Sequence, residues 1–239
     1  MSKLLISIDN LNELPSADGY VLGYEKYTFF SKHRFSYQEI KEFAHPEKNY
    51  LLLNAMLHEK EVDDFKKEAQ KLSKLNINFI VQDLGMVEIL KALIDPSHII
   101  YNPYTLVCNL EEYQTYMAHL GVSIGVSSQL SIDNLKHFKG QSMITIFGYV
   151  PIYQSFRKVI SLYEEHYGVE TKKETMVKED TRDEIHHILE NEYGSVIFSS
   201  EPVNLLEHIS LLNDSEYLFI DTSYISQEEI KSVFKELKR

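Results

Sequence analysis

Two hydrophobic periodicities alternate along the first two thirds of the chain. Short runs rich in β-branched and aromatic residues have the length of single strands. Between them apolar residues recur at helical spacing, most clearly over Val62–Leu75 and Leu110–Leu120. Regular alternation of strands and helices is typical of a parallel sheet. The predicted strands are Leu4–Ile8, Tyr20–Gly23, Tyr50–Leu53, Asn78–Val81, His98–Tyr101, Val122–Val126 and Met143–Phe147.

The predicted fold class is α/β, and the architecture is an eroded (β/α) TIM-like barrel. The erosion lies at the first unit, because Asp9–Gly19 contains Asn10, Asn12 and Pro15 and has the composition of a loop. We therefore expect the first crossover helix to be missing. An eighth strand–helix unit is not evident, which is unusual for a barrel. An open, doubly wound parallel sheet is the alternative architecture.

The pattern changes after Gly168, where Lys172–Asp183 is densely charged, as at a domain boundary. We predict a barrel-like (β/α) domain over residues 1–168 and a small α+β C-terminal domain over residues 169–239. The predicted elements of the second domain are strands Glu184–Leu189 and Ser195–Phe198 joined by a turn, a helix over Val203–Leu212, a strand over Tyr217–Ile220 and a helix over Gln227–Leu237.

Composition narrows the classes of function. The chain has 239 residues, a net charge of −12 and one cysteine, Cys108. A strongly acidic chain is repelled by nucleic acid, and a single cysteine can neither form a disulfide within the chain nor supply the thiolates of an iron–sulfur cluster. The sequence contains no long apolar run of membrane-spanning length, and its start resembles a strand rather than a signal peptide. We expect a cytoplasmic protein without a membrane partner.

Candidate binding residues follow from the rule that parallel α/β folds place their sites at the carboxyl ends of the strands. Polar side chains gathered there can converge on one small ligand. Asp83 also precedes a predicted helix and could instead be its N-cap, and Asn54 could likewise hold a loop, so both interpretations stay open. The candidates at strand ends are Glu25, Asn54, Asp83, Asn102, Gln129 and Tyr149.

Standard catalytic motifs are weak in this sequence. His58–Glu59 lacks the second histidine of a zinc-protease helix. His186 and His187 are neighbours on a predicted strand and would point to opposite faces, so we predict no metal site. Neither a Gly-x-Ser-x-Gly elbow nor a phosphate-binding glycine loop is found. Cys108 precedes a predicted helix, whose N-terminus could lower the pKa of a nucleophilic thiol, but a lone cysteine in such a place is more often a small packing residue.

Several segments, taken in order along the chain, resemble the collagenase-like peptidase family, peptidase family U32. The most specific is Val81-Gln-Asp-Leu-Gly85, which matches a Val-Gln-Asp-Leu-Gly motif of that family. The other segments are Gly19–Gly23, Phe30–Arg34 with Ser36–Ile40, Leu120–Val122, Val126–Ser131, Phe147–Arg157 and Ser200–Glu207.

The resemblance also has departures that bear on chemistry. Family members usually carry Arg-Glu-Leu-Ser where this chain has Ser128-Gln-Leu-Ser131, so a charge pair is lost. They also carry His-Gly-x-x-Cys and further cysteines that hold an iron–sulfur cluster, whereas Phe147 and Pro151 occupy the corresponding positions here. We therefore expect no cluster on this chain.

The resemblance implies several functions. The family name implies a peptidase, a hydrolase acting on peptides, for which Asp83 and Asn54 would be the catalytic candidates. Other members are linked to formation of 5-hydroxyuridine at the tRNA wobble position with prephenate. Some bacteria pair a longer, cysteine-bearing member with a short companion, and this sequence resembles the companion.

We therefore expect a non-cluster partner in tRNA wobble-uridine 5-hydroxylation, in a hetero-oligomer with a longer U32 paralogue. In that case tRNA and a prephenate-derived donor would be reached through the complex. The alternatives are the peptidase and a small-carboxylate binding module without catalysis, so the sequence leaves open whether the chain is an enzyme. Arg34 and Arg157 complete the expected substrate-binding set, and Arg157 could instead pair with Glu164 or Glu165.

Overall fold

The computed structural model describes residues 2–43 and 45–237. It contains two sheets and the helices that pack around them. The strands are β1 (Lys3–Ser7), β2 (Gly19–Tyr24), β3 (Arg34–Phe35), β4 (Asn49–Leu53), β5 (Asn78–Val81), β6 (Ile99–Tyr101), β7 (Ser123–Gly125), β8 (Gly140–Gly148), β9 (Pro151–Ser155), β10 (Glu174–Lys178), β11 (Ile185–Asn191), β12 (Gly194–Phe198), β13 (Val203–Asn204) and β14 (Ser215–Ile220).

The helices lie mainly outside the first sheet. Asp83 and Asn109 cap two of them, each accepting a bond from a main-chain N–H of the first turn. Short 3₁₀ turns cover Pro46–Lys48, Glu59–Glu61, Ser73–Leu75, Pro96–His98 and Leu206–Leu211. The α-helices are α1 (Tyr37–Glu42), α2 (Val62–Leu72), α3 (Leu84–Lys91), α4 (Leu110–Leu120), α5 (Ile132–Leu135), α6 (Val159–Tyr167) and α7 (Gln227–Glu236).

Eight parallel strands close into a barrel in the order β1-β14-β8-β7-β6-β5-β4-β2, and β2 pairs back with β1. The predicted α/β, TIM-like barrel is therefore confirmed, and the open doubly wound sheet is wrong. Successive residues of a strand face opposite sides, so alternate side chains fill the barrel. This apolar interior consists of Leu5, Val21, Tyr50, Leu52, Ile80, Ile100, Met143, Tyr217 and Phe219.

The first unit of the barrel lacks its helix, as the loop composition predicts. Residues 8–18 form bends and irregular backbone between β1 and β2. The eighth strand, in contrast, is present and comes from residues 215–220. It pairs with β1 on one side and with β8 on the other. The predicted boundary at residue 168 therefore does not separate the barrel from the rest, because β14 belongs to the barrel.

The second sheet is antiparallel, in the order β10-β11-β12-β9, and lies in the chain between β8 and β14. The predicted hairpin is present as β11 and β12. The charged stretch after Gly168 contains β10, because Thr175 and Val177 alternate there with charged or exposed residues. The helix expected over Val203–Leu212 is instead β13 followed by a 3₁₀ turn. Within the described ranges, no helix is long and apolar enough to cross a membrane.

Candidate functional site

A layer of polar side chains lies at the carboxyl end of the barrel, directly above the apolar interior. Each member stands at or just beyond the end of a different strand, in register with inward-facing residues such as Leu52 and Ile80. All of its members except Gln82 are buried. We call Ser7, Asn54, Gln82, Asn102 and Asp221 the mouth layer.

Asn54 uses both ends of its amide within the protein. Its Oδ1 accepts hydrogen bonds from the main-chain N–H groups of Phe29, at 2.7 Å, and Phe30, at 3.4 Å. Its Nδ2 donates to the main-chain oxygen of Phe30 at 2.9 Å and to the hydroxyl of Tyr104 at 3.1 Å. Asn54 therefore fixes the loop that follows β2 over the barrel.

Asn102 is held more by contact than by hydrogen bonds. Its Oδ1 accepts a long bond of 3.4 Å from the N–H of Tyr104, and its buried Nδ2 has no hydrogen-bond partner among the described residues. The side chain lies against Gly125, where a Cβ atom would stand 2.4 Å from Asn102 Oδ1. Gly125 thus makes room for Asn102 in the layer.

Gln82 links the barrel to the second sheet. Its Nε2 donates at 2.6 Å to Oε1 of Gln154 on β9, and Gln154 Nε2 returns a bond to Gln82 Oε1 at 3.3 Å. Gln154 Nε2 also lies 3.5 Å from the main-chain oxygen of Asn54. The strand that follows Gly148 therefore crosses above the mouth layer.

Asp221 is the only buried carboxyl in the mouth layer. Its Oδ1 accepts from Ser7 Oγ at 3.1 Å and from the N–H of Ser223 at 2.9 Å. Burial raises the pKa of this carboxyl, and the hydrogen bonds and the charge of Lys32 offset only part of that rise. Burial, together with the nearby Asp221, also raises the pKa of Tyr104. Asp221 therefore keeps its proton to a higher pH than an exposed aspartate does.

Asp221 is missing from the candidates that the sequence provides. It directly follows β14, so the strand-end rule applies to it as it does to Asn54. The sequence pattern places β14 in a second domain, so the strand-end rule for the barrel does not reach it. Recognition of Tyr217–Ile220 as a barrel strand would have identified Asp221.

We predict that Asp221→Asn changes the pH dependence of stability. In the folded protein the pKa of Asp221 lies above the ordinary value of about 4. As the pH rises, the unfolded chain therefore loses this proton at a lower pH than the folded protein does, and the wild type becomes easier to unfold. The free energy of unfolding of the variant, minus that of the wild type, should therefore increase from pH 4 towards 7, by up to about 1.4 kcal/mol per pH unit. Urea denaturation at several pH values measures this difference.

The matched control for that series is Asp180→Asn, since Asp180 is exposed. This substitution removes the same charge and should leave the pH profile parallel to that of the wild type. If the free energy of unfolding of Asp221→Asn also ran parallel to that of the wild type across this pH range, the result would contradict a raised pKa at Asp221.

Aromatic residues cover the mouth layer. Phe29 and Phe30 come from the loop after β2, Tyr104 from the loop after β6, and Phe198 from β12 of the second sheet. The ring centroid of Phe30 lies 5.2 Å from the ring centroid of Tyr104 and 5.2 Å from that of Phe198. We call these four residues the aromatic cover. It packs over Asn54, whose amide bonds Phe29, Phe30 and Tyr104.

A cavity of about 510 Å³ opens beside the aromatic cover, between the loop after β2 and the second sheet. Its two cationic side chains already have partners: Arg34 bonds Glu192 at 2.6 Å and the main-chain oxygen of Phe29 at 2.9 Å, and Lys32 lies 3.3 Å from Asp9. We call this space the mouth cavity. Its lining comprises Phe29, Phe30, Ser31, Lys32, Arg34, Glu174, Leu189, Asn191, Glu192, Ser223 and Tyr224.

The remaining predicted site residues lie elsewhere. Asp83 caps α3, accepting from Met86 N–H at 3.0 Å and from Leu57 N–H at 3.2 Å. Tyr149 packs against His187 and Tyr224. Glu25, Gln129 and Arg157 are exposed.

Three of the predicted site residues therefore lie at the mouth. Asn54 and Asn102 belong to the mouth layer, and Arg34 lines the mouth cavity. The ion pair considered for Arg157 is not found among the described residues, and Glu164 is paired with Lys173 instead. The structure does not bring Asp83 or Gln129 to Asn54.

The donor atoms of the chain do not fit an iron–sulfur cluster. Cys108 is exposed and donates from Sγ to the main-chain oxygen of Thr105 at 3.4 Å, and the sequence has no second cysteine to join it. No group of three or more histidine, cysteine or acidic residues that could hold a metal ion occurs in the part of the chain that the structure describes.

The fold and the site define a closed (β/α) barrel whose mouth is covered by an inserted antiparallel sheet. The family model described as Peptidase family U32 matches residues 15–238. The chain therefore belongs to peptidase family U32. Neither the curated proteins nor the solved structures contain a match to it.

Proposed function

We propose that this chain is a binding and supporting member of peptidase family U32, which acts with a longer, cysteine-bearing member in the 5-hydroxylation of the tRNA wobble uridine. The observation that carries the proposal is that two polar residues of the mouth layer already use their hydrogen-bonding groups within the protein. Asn54 and Asp221 are buried and bonded within the protein beneath the aromatic cover. Because these groups already bond within the protein, a supporting role fits better than chemistry at the barrel mouth.

The same geometry argues against the peptidase alternative. Ser7 Oγ lies 3.1 Å from Asp221 Oδ1, but it also lies 3.1 Å from Thr222 Oγ1, and all three residues are buried. A nucleophile has to reach the peptide carbonyl that it attacks. We therefore expect purified protein not to hydrolyse collagen fragments. Hydrolysis by the wild type that is abolished both by Asp83→Ala and by Asp83→Asn, which can keep the helix cap, would revive the peptidase hypothesis.

Deleting the gene should lower the content of 5-hydroxyuridine in tRNA, as measured by mass spectrometry of nucleosides. Wild-type protein should restore the modification, and Cys108→Ala should restore it equally, because the proposal gives the exposed thiol no role. An unchanged 5-hydroxyuridine content in the deletion strain would contradict the proposal. Loss of complementation by Cys108→Ala alone would contradict the supporting role and indicate thiol chemistry on this chain.

Binding of a small carboxylate is a second candidate function, and the mouth cavity supports it. Lys32 and Arg34 line this cavity together with Ser223 and Tyr224. A guanidinium binds a carboxylate through two parallel hydrogen bonds, and a dicarboxylate such as prephenate could displace Glu192 from Arg34. The exposed Arg157, predicted from the sequence as the carboxylate partner, lies outside this cavity.

Thermal unfolding in the presence of prephenate tests this candidate. Saturating prephenate should raise the melting temperature of the wild type, because a ligand that binds only the folded state stabilises it. Arg34→Gln should abolish the rise, and Arg157→Gln, the matched control, should keep it. No rise in the wild type, or equal rises in both variants, would contradict a carboxylate site in the mouth cavity.

A further inference from the structure

The second sheet ends in a strand with an open edge. β10 pairs with β11 on one side only, within the described residues. The N–H of Glu190 on β11 donates to the main-chain oxygen of Lys173 at 2.7 Å. Because main-chain groups alternate in direction along an antiparallel strand, Glu174, Met176 and Lys178 direct their N–H and C=O groups away from β11. These groups form a template for another strand.

The sequence of this edge is complementary to itself. If a second β10 pairs antiparallel about Met176, Glu174 of one copy lies opposite Lys178 of the other, and Thr175 lies opposite Val177. The residues with outward-directed main-chain groups then face one another and exchange hydrogen bonds. Both charged residues gain an opposite charge across the strands, which stabilises a sheet. Among the residues that the structure describes, Lys178 pairs only with Asp183, whose side chain is fully exposed.

Exposed apolar side chains lie beside this edge on both faces of the sheet. Met176 is 51% exposed, and Tyr163 and Tyr167 on α6 are 52% and 62% exposed. Between α6 and β10 lies a groove of about 370 Å³ that is lined by Ile160, Tyr163 and Val177, among others. A second copy on the edge would bring its own Thr175 and Val177 beside this groove and extend the sheet face that forms its floor.

We propose that the chain forms a two-fold symmetric dimer in which β10 of each copy pairs antiparallel with β10 of the other. The two four-stranded sheets then become one continuous sheet, and the two α6 helices lie on the same side of it. A two-fold axis places the same patch on both partners, and pairing about Met176 satisfies that condition. Addition of a strand to a free edge is a common mode of protein association. This inference does not depend on the proposed function.

Charge exchange across the interface is the sharpest test. Glu174→Lys and Lys178→Glu each place like charges opposite one another at both symmetric positions, so each should raise the dissociation constant of the dimer by about tenfold or more. The double variant Glu174→Lys/Lys178→Glu restores opposite charges and should return the constant to within about threefold of the wild-type value. Sedimentation velocity over a range of concentrations measures all four constants. Lys60→Glu, an exposed change outside the second sheet, is the control and should leave the dimer intact.

Met176→Pro provides an independent test. The N–H of Met176 is directed away from β11, so proline removes a donor of the proposed interface and leaves the β10–β11 ladder in place. The variant should be monomeric with a far-ultraviolet circular dichroism spectrum like that of the wild type. If this variant unfolds, the charge-exchange series still decides. A monomeric wild type, a dimer indifferent to all these changes, or a β10 edge that pairs only with a different U32 protein would overturn the proposal.

Discussion

Replacing Gly148 with alanine is expected to lower the free energy of unfolding by about 4 kcal/mol. Gly148 ends β8 with a φ of +127°, a conformation that residues with a side chain rarely adopt. A Cβ atom there would stand 2.3 Å from the main-chain oxygen of Asp221. That oxygen belongs to the backbone just beyond β14, so neither partner can move without shifting two strands of the barrel. Urea denaturation followed by circular dichroism measures the loss.

Gly121→Ala is the matched control for Gly148. Gly121 ends α4 with a φ of +67°, and a Cβ atom there would meet nothing within 4 Å. Only backbone strain applies, so the expected loss is about 1 kcal/mol. Equal losses for the two variants would show that the close approach to Asp221 contributes nothing.

The role of Gly148 also bears on the family pattern. The resemblance aligns Phe147-Gly148 with a His-Gly pair of cysteine-bearing relatives, and the histidine is absent here. Gly148 is nevertheless required by its backbone conformation and by the close approach of Asp221. Its presence is therefore explained by the barrel and gives no sign of cluster chemistry.

The sequence predicts where the strands of the barrel lie along the chain better than it predicts which strands pair with each other. Periodicity identifies Tyr217–Ile220 as a strand, but it cannot show that this strand pairs with β1 and β8, because a long stretch of chain separates it from β8. Such non-local pairing depends on the closed barrel as a whole. The error at the domain boundary and the omission of Asp221 have this single cause.

The choice of site residues fails in a different way. Position along the chain alone selects polar residues at strand ends, whereas the face of the strand decides which of them enter the barrel. Two residues after Ile80, Gln82 faces inward and joins the mouth layer. One residue further, Asp83 faces outward and caps α3. Counting in steps of two from Leu52 likewise gives Asn54, so alternation would have found Gln82 and rejected Asp83.

We predict that Asn54→Ala is the most damaging change within the mouth layer. The substitution leaves the N–H of Phe29 and the main-chain groups of Phe30 without their partners, in a region that solvent does not reach. Each buried group left unpaired costs about 1–3 kcal/mol. Part of this cost disappears if the loop rearranges, so we expect the free energy of unfolding to fall by about 3 kcal/mol.

The same substitution should loosen the aromatic cover locally. Asn54 holds Phe29 and Phe30 over the mouth layer, so the amide protons of these two residues should exchange with solvent faster in Asn54→Ala. The amide protons of the β10–β11 ladder should exchange faster only as far as the lower free energy of unfolding of the whole protein requires. Gln129→Ala, a change at an exposed strand-end residue, is the control and should alter neither quantity. A loss of stability without faster exchange at Phe29 and Phe30 would mean that packing with Tyr104 and Phe198 is sufficient to hold the cover. The amide of Asn54 would then be free to serve a ligand.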